Sequence, residues 1–176
     1  MARSHSGQRR QPAASRRSCA IEEAICPRST LRPRAGNLHT AARFRLLDYE
    51  DAARRWAAAW ATAWPRRDVE PITGLYAENA TYRALAFREP DLGLDGVMRY
   101  LEENFAVESE IACRFGEPLV SGRRAAVEWW ANWLERGEQL TLAGATVLTF
   151  DDAGKVVDHR DYWNEAPGRI EPYAGW

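Results

Sequence analysis

This chain is short of the residues from which metal sites and redox centres are built. It holds three histidines and three cysteines in 176 residues. Cys19, Cys26 and Cys113 are odd in number and show no C-x-x-C spacing, which argues against a disulfide framework and a zinc site. Reduced thiols in a cytoplasm are the simplest reading, so a cytoplasmic location is expected. Only His159 falls in the part that reads as folded, and a metal site there would lack ligands. No apolar run reaches the roughly 18 residues of a membrane-crossing helix, so no membrane partner is expected. Motifs for nucleophilic and nucleotide chemistry are missing as well. There is no G-x-S-x-G; Ser109 sits near a helix–strand junction and Ser121 in a turn. Neither G-x-G-x-x-G nor a P-loop occurs. Any chemistry is expected to run without metal or cofactor.

Charge is plentiful but unevenly spread. Of the 24 Lys and Arg residues, ten lie in residues 1–45, together with two of the 25 acidic ones, Glu22 and Glu23. Residues 46–176 are left with 14 basic against 23 acidic residues, a net charge near −9. An acidic domain argues against nucleic acid as a partner, because phosphate binding needs a basic face. Residues 1–45 have too few large apolar side chains to offset their ordering entropy, and a disordered, Arg-rich extension is expected. Its Ser- and Arg-rich, acid-poor composition is that of an organelle transit peptide; an over-long start is the plainer alternative. A secretory signal does not fit, since the most apolar stretch, Ala20 to Ile25, is broken by Glu22 and Glu23. The marked excess is tryptophan: eight residues, seven of them in the folded part ahead of the last position. So many bulky rings imply an aromatic core or an aromatic-lined cavity.

The folded part is expected over residues 46–165, followed by a tail, 166–176. Asp48 is the expected N-cap of a first helix that Pro65 closes, with Glu50 and Asp51 in its first turn. Trp56, Trp60 and Trp64 recur every four residues, one aromatic stripe on that helix. Asp68 is expected to cap a second helix ending near Asn79, followed by a short strand, Thr81 to Arg83. A loop over residues 85–95 leads to a third helix, capped by Asp95 and running to about Ala106, with Val97, Tyr100, Leu101, Asn104 and Phe105 inward. The period then changes from 3.6 to 2. Ile111 to Val120, Ala125 to Glu135, Gln139 to Phe150 and Lys155 to Asn164 read as four strands joined by tight turns, hence antiparallel. Helices followed by a meander make the class α+β.

The last strand is unusually polar for one that covers a core. If Asp161 faces inward, alternation turns Val157, His159 and Trp163 inward with it and sends Asp158, Arg160 and Tyr162 outward. His159 and Asp161 then stand about 6–7 Å apart on one face. On the second long strand, Glu128, Trp130 and Asn132 fall on the outer face, which suits a homodimer interface.

The element order, together with Trp60, Leu75 to Tyr82, Gly93 to Val97, and Gly154 to Val157 followed by Arg160-Asp161-Tyr162-Trp163, resembles the nuclear transport factor 2-like superfamily. Within it the chain is similar to the SnoaL-like proteins over about residues 46–165. The resemblance implies a cone-shaped, cystatin-like α+β barrel, three helices packed on a curved and mainly antiparallel sheet around a pocket, with frequent dimerisation. Members include steroid isomerases, polyketide cyclases, limonene epoxide hydrolases, dehydratases and non-catalytic binders, so fold alone does not give function. The resemblance assigns a catalytic acid to Asp161. The hydrolases' further Arg and Asp fall at Trp129 and Ala131, and their water-holding Tyr and Asn at Tyr82 and Ala84. With only Tyr82 and Asp161 retained, epoxide hydrolysis is not expected.

A carboxylate walled in by Trp56, Trp60, Trp129, Trp133, Trp163 and Phe105 would be desolvated, which suits it to proton transfer. His159 is its expected partner, and Tyr82 the expected donor to a carbonyl or enolate oxygen. The expected function is binding of a small apolar oxygenated molecule, with cofactor-independent isomerisation, cyclisation or dehydration. The alternatives are a non-catalytic binder or a dimeric interaction module, with Asp161 merely paired to Arg83, Arg114 or Arg160.

Overall fold

The computed structural model describes residues 38–176, and their side chains from Tyr49 onward. Most of the expected Arg-rich extension lies outside the described residues. Helix α1 spans Leu38–Ala63, so it starts ten residues before the expected Asp48 cap, and Asp48 lies inside it. A 3-10 turn, Trp64–Arg66, carries Pro65 and ends it. Helix α2 is short, Val69–Thr73, with Asp68 in the N-cap position but making no side-chain capping bond.

The chain turns to strand far earlier than expected. Strand β1 covers Tyr76–Arg83, where the sequence reads as helix up to Asn79. The cause is non-local: Tyr76 and Thr81 to Arg83 pair in parallel with the last strand, and the Val156 amide donates to Leu75 O. A ladder with a distant strand outweighs weak local helix propensity. Strand β2 (Asp91–Leu92) pairs back on β1 within the expected loop, and helix α3 follows at Gly93–Phe105 with Leu92, not Asp95, as its N-cap residue.

The expected third-helix-to-sheet passage is sharper than the sequence implies. Strand β3 begins at Glu108 and ends at Phe115; β4 is Leu119–Ser121. Both pair with β5 (Arg124–Glu135), so one expected strand is two, interrupted at Gly116-Glu117-Pro118 where proline has no amide to give. Strands β5 and β6 (Glu138–Phe150) form a hairpin whose two loop residues, Arg136 and Gly137, both have positive φ, 50° and 91°. That is the turn whose twist matches paired strands. Strand β7 (Val156–Pro167) completes the order β2-β1-β7-β6-β5-β3, antiparallel except for β1 against β7.

A bulge sits at the start of β7: Phe150 faces Val156 and Thr149 faces Asp158, leaving Val157 unpaired. The extra residue corrects the expected alternation. Val156, not Val157, is buried, while His159 and Asp161 remain inward and Arg160 and Tyr162 exposed.

Helix α1 lays its tryptophan stripe on the concave face, where Trp56 meets Trp60, Phe115 and His159 at ring-centroid distances of 5.7–5.8 Å. The convex face is partly covered by residues after β7. Trp130 donates its indole N–H to Ile170 O (2.8 Å) and stands edge-on to Tyr173 and Trp176. Thr141 Oγ1 accepts from the Ile170 amide and lies 2.6 Å from Asn132 Oδ1. Trp130 thus meets the chain's own tail directly and Asn132 only through Thr141, and any dimer on this face would form around that tail. No helix among the described residues is long and apolar enough to cross a membrane.

Candidate active site

The concave face and helices α1 and α3 enclose a half-open cavity of about 130 Å³. All six residues expected to line it do so: Trp56, Trp60, Trp129, Trp133, Trp163 and Phe105. Tyr82, His159 and Asp161 also reach it, as does Trp64, the third ring of the helix stripe, together with Thr146 and Glu108, which sequence reasoning did not assign to it.

His159 and Asp161 are much closer than their strand spacing implies. Their side chains lean together, bringing Nε2 of His159 to 2.9 Å from Oδ1 of Asp161. The contact is not aligned as a hydrogen bond, and Nε2 is left without a hydrogen-bond acceptor. The ring is held from its other side: Nδ1 lies 2.8 Å from Tyr76 Oη, which accepts the indole N–H of Trp56 at 3.2 Å. Burial, first, and the nearby Asp161 raise the Tyr76 pKa despite the Trp56 bond, so the phenol keeps its proton at neutral pH. With the Trp56 N–H already on the phenol oxygen, the Tyr76 hydrogen has Nδ1 as its acceptor. This assigns the proton of neutral His159 to Nε2, on the side of Asp161.

Asp161 is held with the same economy. Thr146, directly across the ladder, donates its hydroxyl to Oδ1 at 2.5 Å, and Trp129 donates to Thr146 Oγ1 at 2.9 Å. Among the described residues Oδ2 has no partner. None of the arginines considered from the sequence reaches Asp161: Arg83 bonds Arg88 O, Arg114 pairs with Glu171, and Arg160 with Asp158. Tyr82 is in register with His159 across the parallel pair, and the rings stack with centroids 3.9 Å apart. Its hydroxyl makes no hydrogen bond among the described residues, and burial, reinforced by Asp161, keeps it protonated. The result is a buried relay, Trp56–Tyr76–His159–Asp161–Thr146–Trp129. Tyr76 was missed because the sequence around it reads as helix, and Thr146 because strand threonines are common.

The cavity has a second acid. Glu108 opens β3 opposite Glu135 and accepts the Trp64 indole N–H at Oε2, 2.8 Å. Burial raises its pKa above the ordinary value of 4.5, against the lowering effect of the Trp64 bond. Between the ordinary and the raised value the folded state holds more protons than the unfolded state, so stability falls as pH rises through that window. Glu108→Gln, which can still accept from Trp64, is expected to remove this decline. Chemical denaturation at several pH values between 4 and 8 checks it (a pH range chosen to bracket roughly the carboxylate titration); an unchanged slope would count against the assignment. Cys113, by contrast, offers no nucleophile: burial pushes its thiol up to about 12.

Six tryptophans line the cavity, and Trp60 and Trp133 leave their indole N–H without an acceptor, as His159 does its Nε2. An unsatisfied buried donor costs about 1–3 kcal/mol. All three belong to residues that line the one cavity.

A curved sheet closed by helices around an acid-bearing aromatic cavity defines the nuclear transport factor 2-like class. The chain belongs to the SnoaL-like domain family, which it matches over residues 53–159. Its fold is shared with solved structures of low identity. One is SalBIII, an epoxide hydrolase/cyclase-like enzyme with a role in pyran ring formation in the polyether salinomycin (20% identity, TM-score 0.57, covering 65% of this chain and 94% of that one). Another is an LEH-like epoxide hydrolase of M. tuberculosis (14%, 0.55, 68% and 84%). A third is a hypothetical protein with a ketosteroid isomerase-like fold from Catenulispora acidiphila DSM 44928, in complex with trimethylamine (18%, 0.54, 64% and 84%). No curated protein matches the chain. Folds of this family typically bind small ligands and often support cofactor-independent cyclase, isomerase or hydrolase chemistry.

Proposed function

We propose that the cavity binds a small, apolar, oxygenated molecule and that His159 and Asp161 carry out acid/base chemistry on it. The observation that supports this reading is the buried His159–Asp161 pair on the cavity wall, each partner held by a hydrogen bond, with Oδ2 of Asp161 left without a partner among the described residues. A structural pair of this kind would have its polar atoms satisfied by protein. In the proposed reaction Oδ2 of Asp161 removes a proton from carbon next to a carbonyl, and the carbonyl oxygen becomes an enolate oxygen held by a donor such as the Tyr82 hydroxyl. Neutral His159, which would become an imidazolate if it gave up its Nε2–H, steers the transfer by hydrogen bonding, and the proton then carried by Asp161 is returned elsewhere on the frame. Delivered to carbon, that proton completes an isomerisation; delivered to a leaving hydroxyl, it completes a dehydration.

Size narrows the substrate. The cavity, about 130 Å³ and half-open, is a little smaller than the roughly 150 Å³ that holds benzene, so its enclosed part takes no more than one small ring or its acyclic equivalent. Native mass spectrometry of the purified protein, followed by small-molecule analysis after denaturation, is expected to release an oxygenated species of that size. Repeated recovery of only polar or ionic species at a one-to-one ratio would contradict the proposal.

A further inference from the structure

The donors that the His159–Asp161 pair does not use are at the other end of the cavity. Of the six indole N–H groups on its wall, four have protein acceptors: Trp56 on Tyr76, Trp64 on Glu108, Trp129 on Thr146 and Trp163 on Ala84 O. Trp60 packs against His159 and belongs with that pair. Trp133 does not. It is 5% exposed, its Nε1 has no partner, and its ring centroid lies 5.7 Å from that of Trp64. Trp64 in turn donates to Oε2 of Glu108, itself 7% exposed and lining the cavity, whose Oε1 has no partner among the described residues. Trp129, 6.0 Å from Trp64, stands between this corner and the Thr146–Asp161 bond.

The corner therefore holds an indole donor and a carboxyl oxygen of two buried residues that line one cavity, neither with a partner among the described residues. A ligand hydroxyl satisfies both, accepting from Trp133 Nε1 and donating to Glu108 Oε1. A lone carbonyl satisfies only the indole and sets its lone pairs against a carboxylate. We infer that Trp133 and Glu108 form a second polar subsite that takes a hydroxyl, so that the substrate is oxygenated at two positions, a small hydroxy-ketone rather than a simple ketone. The inference rests on the proposed reading of the cavity as a ligand site. The other charged groups at this corner are Glu135, the register partner of Glu108 on β5, whose charge disfavours a carboxylate on the ligand, and Arg67, whose Nη1 donates to Glu108 O at 3.4 Å and does not line the cavity.

The test compares cyclohexanone with 4-hydroxycyclohexanone, both of a size for the cavity, binding to the full chain by ligand-observed NMR titration. The hydroxyl is expected to raise affinity about tenfold, the worth of two net hydrogen bonds. In Trp133→Phe that ratio is expected to fall below about threefold, whatever happens to cyclohexanone itself. Should Trp133→Phe fail to fold, Glu108→Gln carries the same test, since it keeps the acceptor for Trp64 and replaces the free acceptor by a donor. If cyclohexanone binds but the wild-type ratio is below about threefold, or the ratio survives in the variants, the second subsite is overturned and the first reading stands. If neither ketone binds, the reading of the cavity as a ligand site falls, and this inference with it.

Discussion

Replacing Asp161 by asparagine is expected to cut turnover of the proposed substrate by about 10²- to 10⁴-fold, the usual worth of a positioned acid or base, while binding changes little. Asparagine has nearly the same shape, and its Oδ1 can still accept the Thr146 hydroxyl that holds the carboxylate. What it cannot do is take a proton at the position of Oδ2. The substitution therefore separates two roles that share one side chain. Paired measurements on the ligand released by denaturation, one of conversion and one of affinity, read them independently. If conversion by the variant equals that of wild type, Asp161 is not the base and the non-catalytic reading gains. Loss of binding along with conversion would make Asp161 an anchor for the ligand instead.

The largest expected effect on stability comes from a position with no side chain. Gly144 stands in the β5–β6–β7 ladder between Trp129 and Trp163. A Cβ there would lie 2.4 Å from Tyr162 O and 2.6 Å from Trp163 Cβ. One contact is backbone and the other is the root of a large ring, so neither can swing aside. Gly144→Ala is expected to force β6 from β7 and to cost about 3 kcal/mol or more. Thermal unfolding checks this as a drop of roughly 10 °C in Tm. A melt within about a degree of wild type would mean that β6 and β7 part here without cost, against this expectation. Because Trp163 and Asp161 follow on the same strand, a folded Gly144→Ala protein should also bind ligand more weakly.

How much of this was legible in the sequence depended on whether a feature was local. The stripe Trp56, Trp60 and Trp64 is set by helical period, and it took its place on the concave face. The meander from β4 to β7 is set by tight turns, and it formed with small changes of boundary. The tryptophans of the cavity wall could be named because alternation fixes the face of a strand residue once one neighbour is assigned. Distant pairing was not legible. Tyr76 reads as helical until a strand some 80 residues away claims it. The bulge at Val157 shifts one residue and leaves no mark in composition. Glu108 lay three residues outside the expected strand, so its place in the cavity was hidden by a boundary error. The polar pair itself was found, but not its tightness, since strand spacing fixes backbone separation and not the lean of side chains.

The indoles of the cavity also make an optical device. Trp56 to Trp60, Trp60 to Trp64, Trp64 to Trp129 and Trp64 to Trp133 are separated by 5.7, 5.8, 6.0 and 5.7 Å. At such spacings an excited indole hands its energy to a neighbour before it can emit. Light absorbed by any of the five is therefore shared, and it reaches the two rings nearest His159, an imidazole that darkens indoles when protonated. The emission of these five, as distinct from that of Trp130, Trp163 and Trp176, is a property of the cavity rather than of single residues. An occupant that touches one ring dims or brightens all of them, so the site carries its own unlabelled indicator of occupancy and of the charge on His159.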